Sequence, residues 1–261
     1  MPGFATKGSG DTAVVMLHGI GGGHAAWASQ IDFFAERGYR AIAWDQPGYG
    51  ASATVEPYSF ENVAGALDAL IASLTPAPAN IVIVGHSMGG MVAQEYGARH
   101  AHPSLRALVL AFTSAAFGGS GSDFAQQFIA ARIAPLNEGR SMADVAAKLM
   151  PTMATAGSNP HGVALAERTM AGVPAATYRK AVAMLTTFDR RAELPQIRVP
   201  ALLLAGSEDK VAPAPVMERM AKKIPGAEYH CVAGCGHLGP MDHPDAFNAV
   251  LLDFLQRRIE A

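Results

Sequence analysis

Gly85-His86-Ser87-Met88-Gly89-Gly90 follows the apolar run Ile81-Val82-Ile83-Val84 and opens residues 88–100, whose apolar positions recur at helical spacing. A G-x-S-x-G stretch set between a strand and a helix is a nucleophile elbow. Such a turn is tight enough to strain the serine backbone, and only glycine neighbours let the chain cross so closely. Ser87 Oγ would then project at the C-terminal edge of a sheet. A merely flexible glycine turn would require none of this agreement between spacing and flanking elements.

Working outward, short apolar runs rich in Val, Ile and Leu occur at 13–17, 41–44, 81–84, 105–111 and 201–205, with a weaker one at 228–232. Continuous rather than alternating hydrophobicity marks strands buried on both faces, as in a parallel sheet. Segments 26–37, 60–74, 88–100, 215–223 and 244–257 carry helical spacing. The alternation predicts an α/β fold with a mostly parallel, doubly wound sheet. It breaks between about Ser114 and Leu194, where helical segments follow one another. We therefore expect a core of residues 1–114 and 195–261 and a helical cap insertion over 115–194. Ser122 and Asp123 can cap a helix at 124–133, Ser141 and Asp144 form a capping-box pattern, and Pro151 and Pro174 are expected to stop the segments before them. Residues 118–122 read as a flexible loop. Ligands of open α/β sheets bind beyond the C-terminal strand ends, where such an insertion would roof the crevice.

A serine hydroxyl attacks well only when a base accepts its proton. Among nine histidines, His237 stands in the small-residue loop Ala233-Gly234-Cys235-Gly236-His237, after the last predicted strand. His18 and His86 adjoin glycine-rich turns and suit structural roles. Chain order then asks for an acid between Ser87 and His237. Asp209 follows the strand at 201–205, where it could fix the imidazole tautomer, with Glu208 as runner-up. The other place for an acid, after 105–111, holds Thr113 and Ser114. For the oxyanion the backbone N–H groups of Met88 and Ile20 are the expected donors, Met88 at a helix start and Ile20 within His18-Gly19-Ile20-Gly21-Gly22-Gly23. Gly19 and Trp27 are candidate substrate contacts, although Trp27 could equally pack in the interior.

Composition narrows the function classes. Half of the 261 residues are hydrophobic and only 16% are charged, against about a quarter in an average domain, as befits a chain with a large interior. The net charge of −2 is spread along the chain without a basic face, so nucleic acid is an unexpected partner. Residues 1–11 show no basic start or apolar run, and no stretch is long enough to span a bilayer. The expectation is a cytoplasmic protein without membrane attachment. Cys231 and Cys235 lack the further pair of a four-ligand zinc site and read as reduced thiols, so no metal is expected.

Together, His18-Gly19-Ile20-Gly21-Gly22, Trp44-Asp45-Gln46-Pro47-Gly48-Tyr49-Gly50-Ala51-Ser52, the elbow, Asp209 and Gly236-His237 resemble the α/β-hydrolase superfamily along nearly the whole chain. Residues 178–200, with Thr187-Phe188-Asp189-Arg190-Arg191 and Leu194-Pro195-Gln196-Ile197, resemble the 3-oxoadipate enol-lactonases and related carboxylesterases. The resemblance implies an α/β-hydrolase fold, cleavage of a small-molecule ester or lactone through an acyl-enzyme, no cofactor, and a structural Asp45. Members usually begin with a hairpin, and about ten residues precede Ala13. At most one such strand fits, so the hairpin is read as truncated, and the exposed edge is where a homo-oligomer would pair.

An enol-lactone of that kind bears a carboxylate, for which Arg132, Arg140, Arg168 and Arg179 of the insertion are available, although helical charges are mostly solvated. Two enzyme alternatives use the same constellation: hydrolysis of a carbon–carbon bond in a vinylogous diketone, and cofactor-free perhydrolysis. A serine nucleophile argues against dehalogenation and epoxide opening, which use a carboxylate. Outside enzymes, a ligand receptor could retain the triad beneath its roof.

Overall fold

Seven strands lie side by side in the order β1-β3-β2-β4-β5-β6-β7. The computed structural model describes residues 2–100, 102–119 and 121–260. In chain order the first half comprises β1 (Phe4–Lys7), β2 (Thr12–Leu17), α1 (Ala28–Ala35), β3 (Arg40–Trp44), α2 (Phe60–Ser73), β4 (Asn80–His86), α3 (Met88–Arg99) and β5 (Leu105–Ala111). Four helices follow without a strand: α4 (Asp123–Asn137), α5 (Met142–Met153), α6 (Pro160–Ala171) and α7 (Ala175–Leu185). The chain closes with β6 (Ala201–Gly206), α8 (Ala214–Ala221), β7 (Glu228–Val232), α9 (Gly239–Asp242) and α10 (Pro244–Arg258).

Among the described residues only β1 runs antiparallel, and it pairs with β3 rather than with its sequence neighbour β2, so these two strands form no hairpin. Side chains alternate across the sheet, which divides the interior in two. Val14, Met16, Val82 and Val84 meet Phe34 of α1 and Phe247, Leu251 and Phe254 of α10. On the other face Val15, Leu17 and Ile83 meet Val63 and Leu67 of α2, Val92 of α3 and Met217 of α8. Both faces are covered, and the continuous apolar runs follow from that.

The strand order reverses between β2 and β4. Loops leaving the C-terminal ends of β2, β4, β5, β6 and β7 therefore converge above the sheet, the place where a crevice forms. Where the chain leaves β5 and returns toward β6, Ala116 and Asp189 form a short antiparallel bridge. Phe117 N–H donates to the Phe188 carbonyl at 2.9 Å and Arg190 N–H to that of Ala115 at 2.7 Å. Arg190 also donates from Nε to the buried carboxylate of Glu95 on α3. The ends of the four-helix excursion are thus tied to each other and to the helix that follows Ser87.

Local boundaries differ from the sequence pattern in several places, and α4 runs to Asn137, past the expected 133. Residues 24–27 form a single 3₁₀ turn before α1, which Gly38 terminates at φ 85°. Pro151 does not stop α5, which continues to Met153. A proline near a helix end removes one backbone donor without interrupting many bonds, so its cost there is small. Ser122 and Ser141 cap α4 and α5, the latter with the reciprocal Asp144 contact. Of the loop at 118–122, Ser120 lies outside the described residues. No helix among the described residues is long and apolar enough to cross a membrane.

Candidate active site

Ser87 adopts φ 54° and ψ −117°, on the one-residue turn between β4 and α3. Close approach explains the flanking glycines. A Cβ on Gly85 would collide with the Gly89 carbonyl, and one on Gly89 with the carbonyl of Leu17 at the end of β2. Neighbouring strand ends thus bring the His18–Gly22 loop against the elbow.

His237 and Asp209 arrive from the loops after β7 and β6. Ser87 Oγ lies 3.0 Å from His237 Nε2, and His237 Nδ1 lies 2.8 Å from Asp209 Oδ2. With Nδ1–H donating to the carboxylate, Nε2 is free to accept the serine proton. The other oxygen, Asp209 Oδ1, accepts the N–H groups of Val211 at 2.7 Å and Ala212 at 2.9 Å. Burial alone would raise the Asp209 carboxyl, but the facing imidazole and these donors outweigh it and hold it below the ordinary carboxylate value. Glu208, one residue earlier, is exposed and has no part in this chain of contacts. The His237 backbone is itself held, its N–H donating to the Met153 carbonyl at 3.0 Å and its carbonyl accepting from His86 Nε2 at 2.8 Å.

His86 and His18 are buried, and burial lowers them to about 3 and about 4, so both are neutral at pH 7. His18 Nδ1 donates to the Gly19 carbonyl at 2.8 Å, and its Nε2 accepts the Gln46 N–H at 3.1 Å. Asp45 accepts from His24 N–H and Nδ1, so it braces the loop after β2 and stands apart from Ser87.

These groups border a chamber whose empty space, open mouth included, is about 930 Å³. Gly19 and Ile20 line its floor with Ser87 and His237. The helical excursion contributes Phe128, Leu149, Met150, Met170 and Tyr178, so the walls are largely apolar. Met88 begins α3, where its N–H has no intrahelical acceptor and is available to a ligand. Trp27 does not line the chamber. Its ring is buried under the sheet, edge-on to His86 and tilted against Phe247, because α1 turns that face toward α10.

Several neighbours have only a faint sequence signal. Arg132 lines the chamber, the only Lys or Arg among the described residues to do so, whereas Arg140, Arg168 and Arg179 do not. Its guanidinium lies 5.1 Å from the Phe128 ring centre. Thr113 donates its hydroxyl to the Ser87 carbonyl at 2.8 Å. A polar pair one residue beyond the apolar run 105–111 is the mark that could have found it. Among the described residues the set nearest to a metal site is Cys235, Asp242 and His243, with ligand atoms within 4.8 Å of one another. Asp242 is already engaged by Ser158 and His243, and burial pushes the Cys235 thiol up, away from the thiolate that a metal requires.

The sequence model of the Alpha/beta hydrolase family matches residues 14–250. Over 264 residues the chain is 27% identical to a 2-hydroxy-6-oxononadienedioate/2-hydroxy-6-oxononatrienedioate hydrolase from a Pseudomonas species, covering 96% of this chain and 90% of that protein. It is likewise 27% identical to the pimeloyl-[acyl-carrier protein] methyl ester esterase of Vibrio atlanticus, covering 94% of each. In fold it is similar to the enol-lactonase from Burkholderia xenovorans LB400, with a TM-score of 0.85 at 24% identity, covering 98% of this chain and 96% of that one. A family match that runs from β2 into α10, over a sheet and an elbow of this geometry, means that the chain belongs to the alpha/beta hydrolase family.

Proposed function

We propose that the protein is a serine hydrolase that cleaves small carboxylic esters or lactones through an acyl-enzyme. One observation carries the reading: an unbroken path of 3.0 and 2.8 Å contacts from Ser87 Oγ through His237 to Asp209, opening into a largely apolar chamber. As Oγ attacks the carbonyl carbon, its proton passes to His237 Nε2, and Asp209 stabilises the imidazolium. Negative charge gathers on the carbonyl oxygen, where the N–H groups of Ile20 and Met88 would receive it. Collapse expels the alcohol oxygen, which takes the proton from His237. Water then repeats the sequence, and its attack releases the acid and restores Ser87. Apolar walls with one guanidinium favour an organic acyl group carrying at most one anionic end.

A second reading has a specific basis. The Pseudomonas relative acts on a molecule named as a ketone and a dicarboxylate, without an ester, so its hydrolysis must break a carbon–carbon bond. The same three residues serve either bond. Incubation with 4-nitrophenyl esters, a lactone panel and a vinylogous diketone, followed by product analysis, decides which bond is cut. Fluorophosphonate should label Ser87 in the parent. Ser87→Ala should abolish labelling and lower turnover by at least about 10³-fold. Turnover within about tenfold of the parent would remove Ser87 from the mechanism. Labelling without turnover of any of these compounds would instead make the site a receptor.

A further inference from the structure

Two non-glycine residues among the described ones have positive φ: Ser87 at 54° and Phe112 at 49°. The elbow accounts for the first. Nothing in the triad accounts for the second, and a bulky side chain in this conformation is a strained exception that the surroundings must impose. They do so from both sides. Phe112 N–H donates to the Leu204 carbonyl at 2.8 Å, and its ring is fully buried, 5.8 Å from that of His86, in the space a Cβ on Gly239 would occupy.

The consequence of the kink is the placement of the next residue. β5 ends at Ala111, and after the turn at Phe112 Thr113 lies against the elbow at the edge of the chamber. There Thr113 is 1% exposed, and its Oγ1 donates to the Ser87 carbonyl at 2.8 Å. Room for it exists because residue 90 is glycine, where a Cβ would stand 2.7 Å from Thr113 Cβ.

The Ser87 carbonyl does not need this donor for satisfaction, since it already accepts the N–H groups of Gly90 at 2.9 Å and Met91 at 3.2 Å. A third donor adds direction. The Ser87 carbonyl and the Met88 N–H belong to one planar trans peptide and point opposite ways, so a carbonyl held from behind aims the N–H forward, toward the chamber. The loop after β2 repeats the device. The Gly19 carbonyl accepts from His18 Nδ1 at 2.8 Å and Gly22 N–H at 2.9 Å, and the opposite end of that peptide is the Ile20 N–H.

We propose that Thr113 is a positioning residue, which by clamping the Ser87 carbonyl fixes the Met88 N–H on the developing oxyanion of the tetrahedral intermediate. The proposal rests on the serine-hydrolase reading. A donor lost from an oxyanion site costs about 10²–10³-fold in turnover, and one merely released from its orientation should cost less. Thr113→Val keeps the shape and deletes the donor. It should lower kcat on 4-nitrophenyl butyrate by about 10- to 100-fold with KM within about twofold, and weaken inhibition by an alkyl trifluoromethyl ketone, whose hemiketal oxyanion needs the same N–H, by the same factor. Thr113→Ser should restore both, with all thermal midpoints recorded alongside. If Thr113→Val does not fold, Thr113→Ala set against Thr113→Ser makes the same comparison.

Parent-like kcat in the donorless variant, or a fall in kcat with ketone affinity unchanged, overturns the assignment, as does a Thr113→Ser variant no better than the valine. A parent protein that neither hydrolyses esters nor binds the ketone removes the serine-hydrolase reading and the role of Thr113 with it. An active parent with an indifferent Thr113→Val removes only the latter.

Discussion

Both oxygens of Asp209 are engaged, Oδ1 with two backbone N–H groups and Oδ2 with His237 Nδ1. Replacement by asparagine splits these duties. The single amide oxygen would stay on Val211 and Ala212, where two donors wait, and the NH₂ group would face His237. An NH₂ there needs a lone pair on Nδ1, so the imidazole proton moves to Nε2, the atom that must accept from Ser87. On the proposed chemistry, Asp209→Asn should lower kcat by about 10⁴-fold while the thermal midpoint moves little. Steady-state kinetics with a melting curve checks both parts. At this scale Ser87, His237 and Asp209 were legible because each follows a recognisable strand and their chain order suits the chemistry. Trp27 was not, since a residue just after a glycine loop can face the chamber or the interior, and only the turn of the following helix selects between them.

Among the elements, the crossing of β2 with the β4–α3 turn is a tight junction of the site. Gly89 presses on the Leu17 carbonyl, whereas Gly65 in the middle of α2 has nothing within 4 Å of where a Cβ would stand. The same substitution should therefore have opposite signs. Gly89→Ala must push backbone against backbone and should destabilise by roughly 1–3 kcal/mol or more. Gly65→Ala improves helix propensity and should stabilise by about 0.5–1 kcal/mol. Urea midpoints of the two variants test the pair, and a Gly89→Ala variant as stable as the parent would contradict the close crossing. Strands and long helices were readable from periodicity because burial on both sheet faces imprints itself on every residue of the run. Ends were less so. Pro151 reads as a stop, yet it rides in the last turn of α5 because that helix is held by packing of Val145, Ala146 and Met150 rather than by its backbone bonds alone.

Across the whole molecule, acid stability should carry the signature of two buried imidazoles. His18 at about 4 and His86 at about 3 sit below the ordinary 6.5, so between these values the unfolded chain binds protons that the folded chain refuses. Stability is complete above pH 6.5, falls as pH drops below it, and levels off only under the folded values. Each group should cost about 2 kcal/mol between pH 6.5 and pH 5. Urea unfolding at pH 7, 6 and 5 should show this loss, and His86→Gln should flatten it by about half. A profile flat down to pH 5 in the parent would mean that neither ring is held neutral. By itself the sequence determined the alternation of strands and helices, the elbow, and the loops that bring His237 and Asp209 to it, because these depend on local chain geometry and on periodic burial within a few residues. Tertiary structure alone decided that β1 pairs with β3, that Arg132 and not its fellow arginines borders the chamber, and that a kink at Phe112 delivers Thr113 to the Ser87 carbonyl. Each of those outcomes is a contact between segments far apart in the chain, set by how two faces pack, and no single residue's preference encodes it.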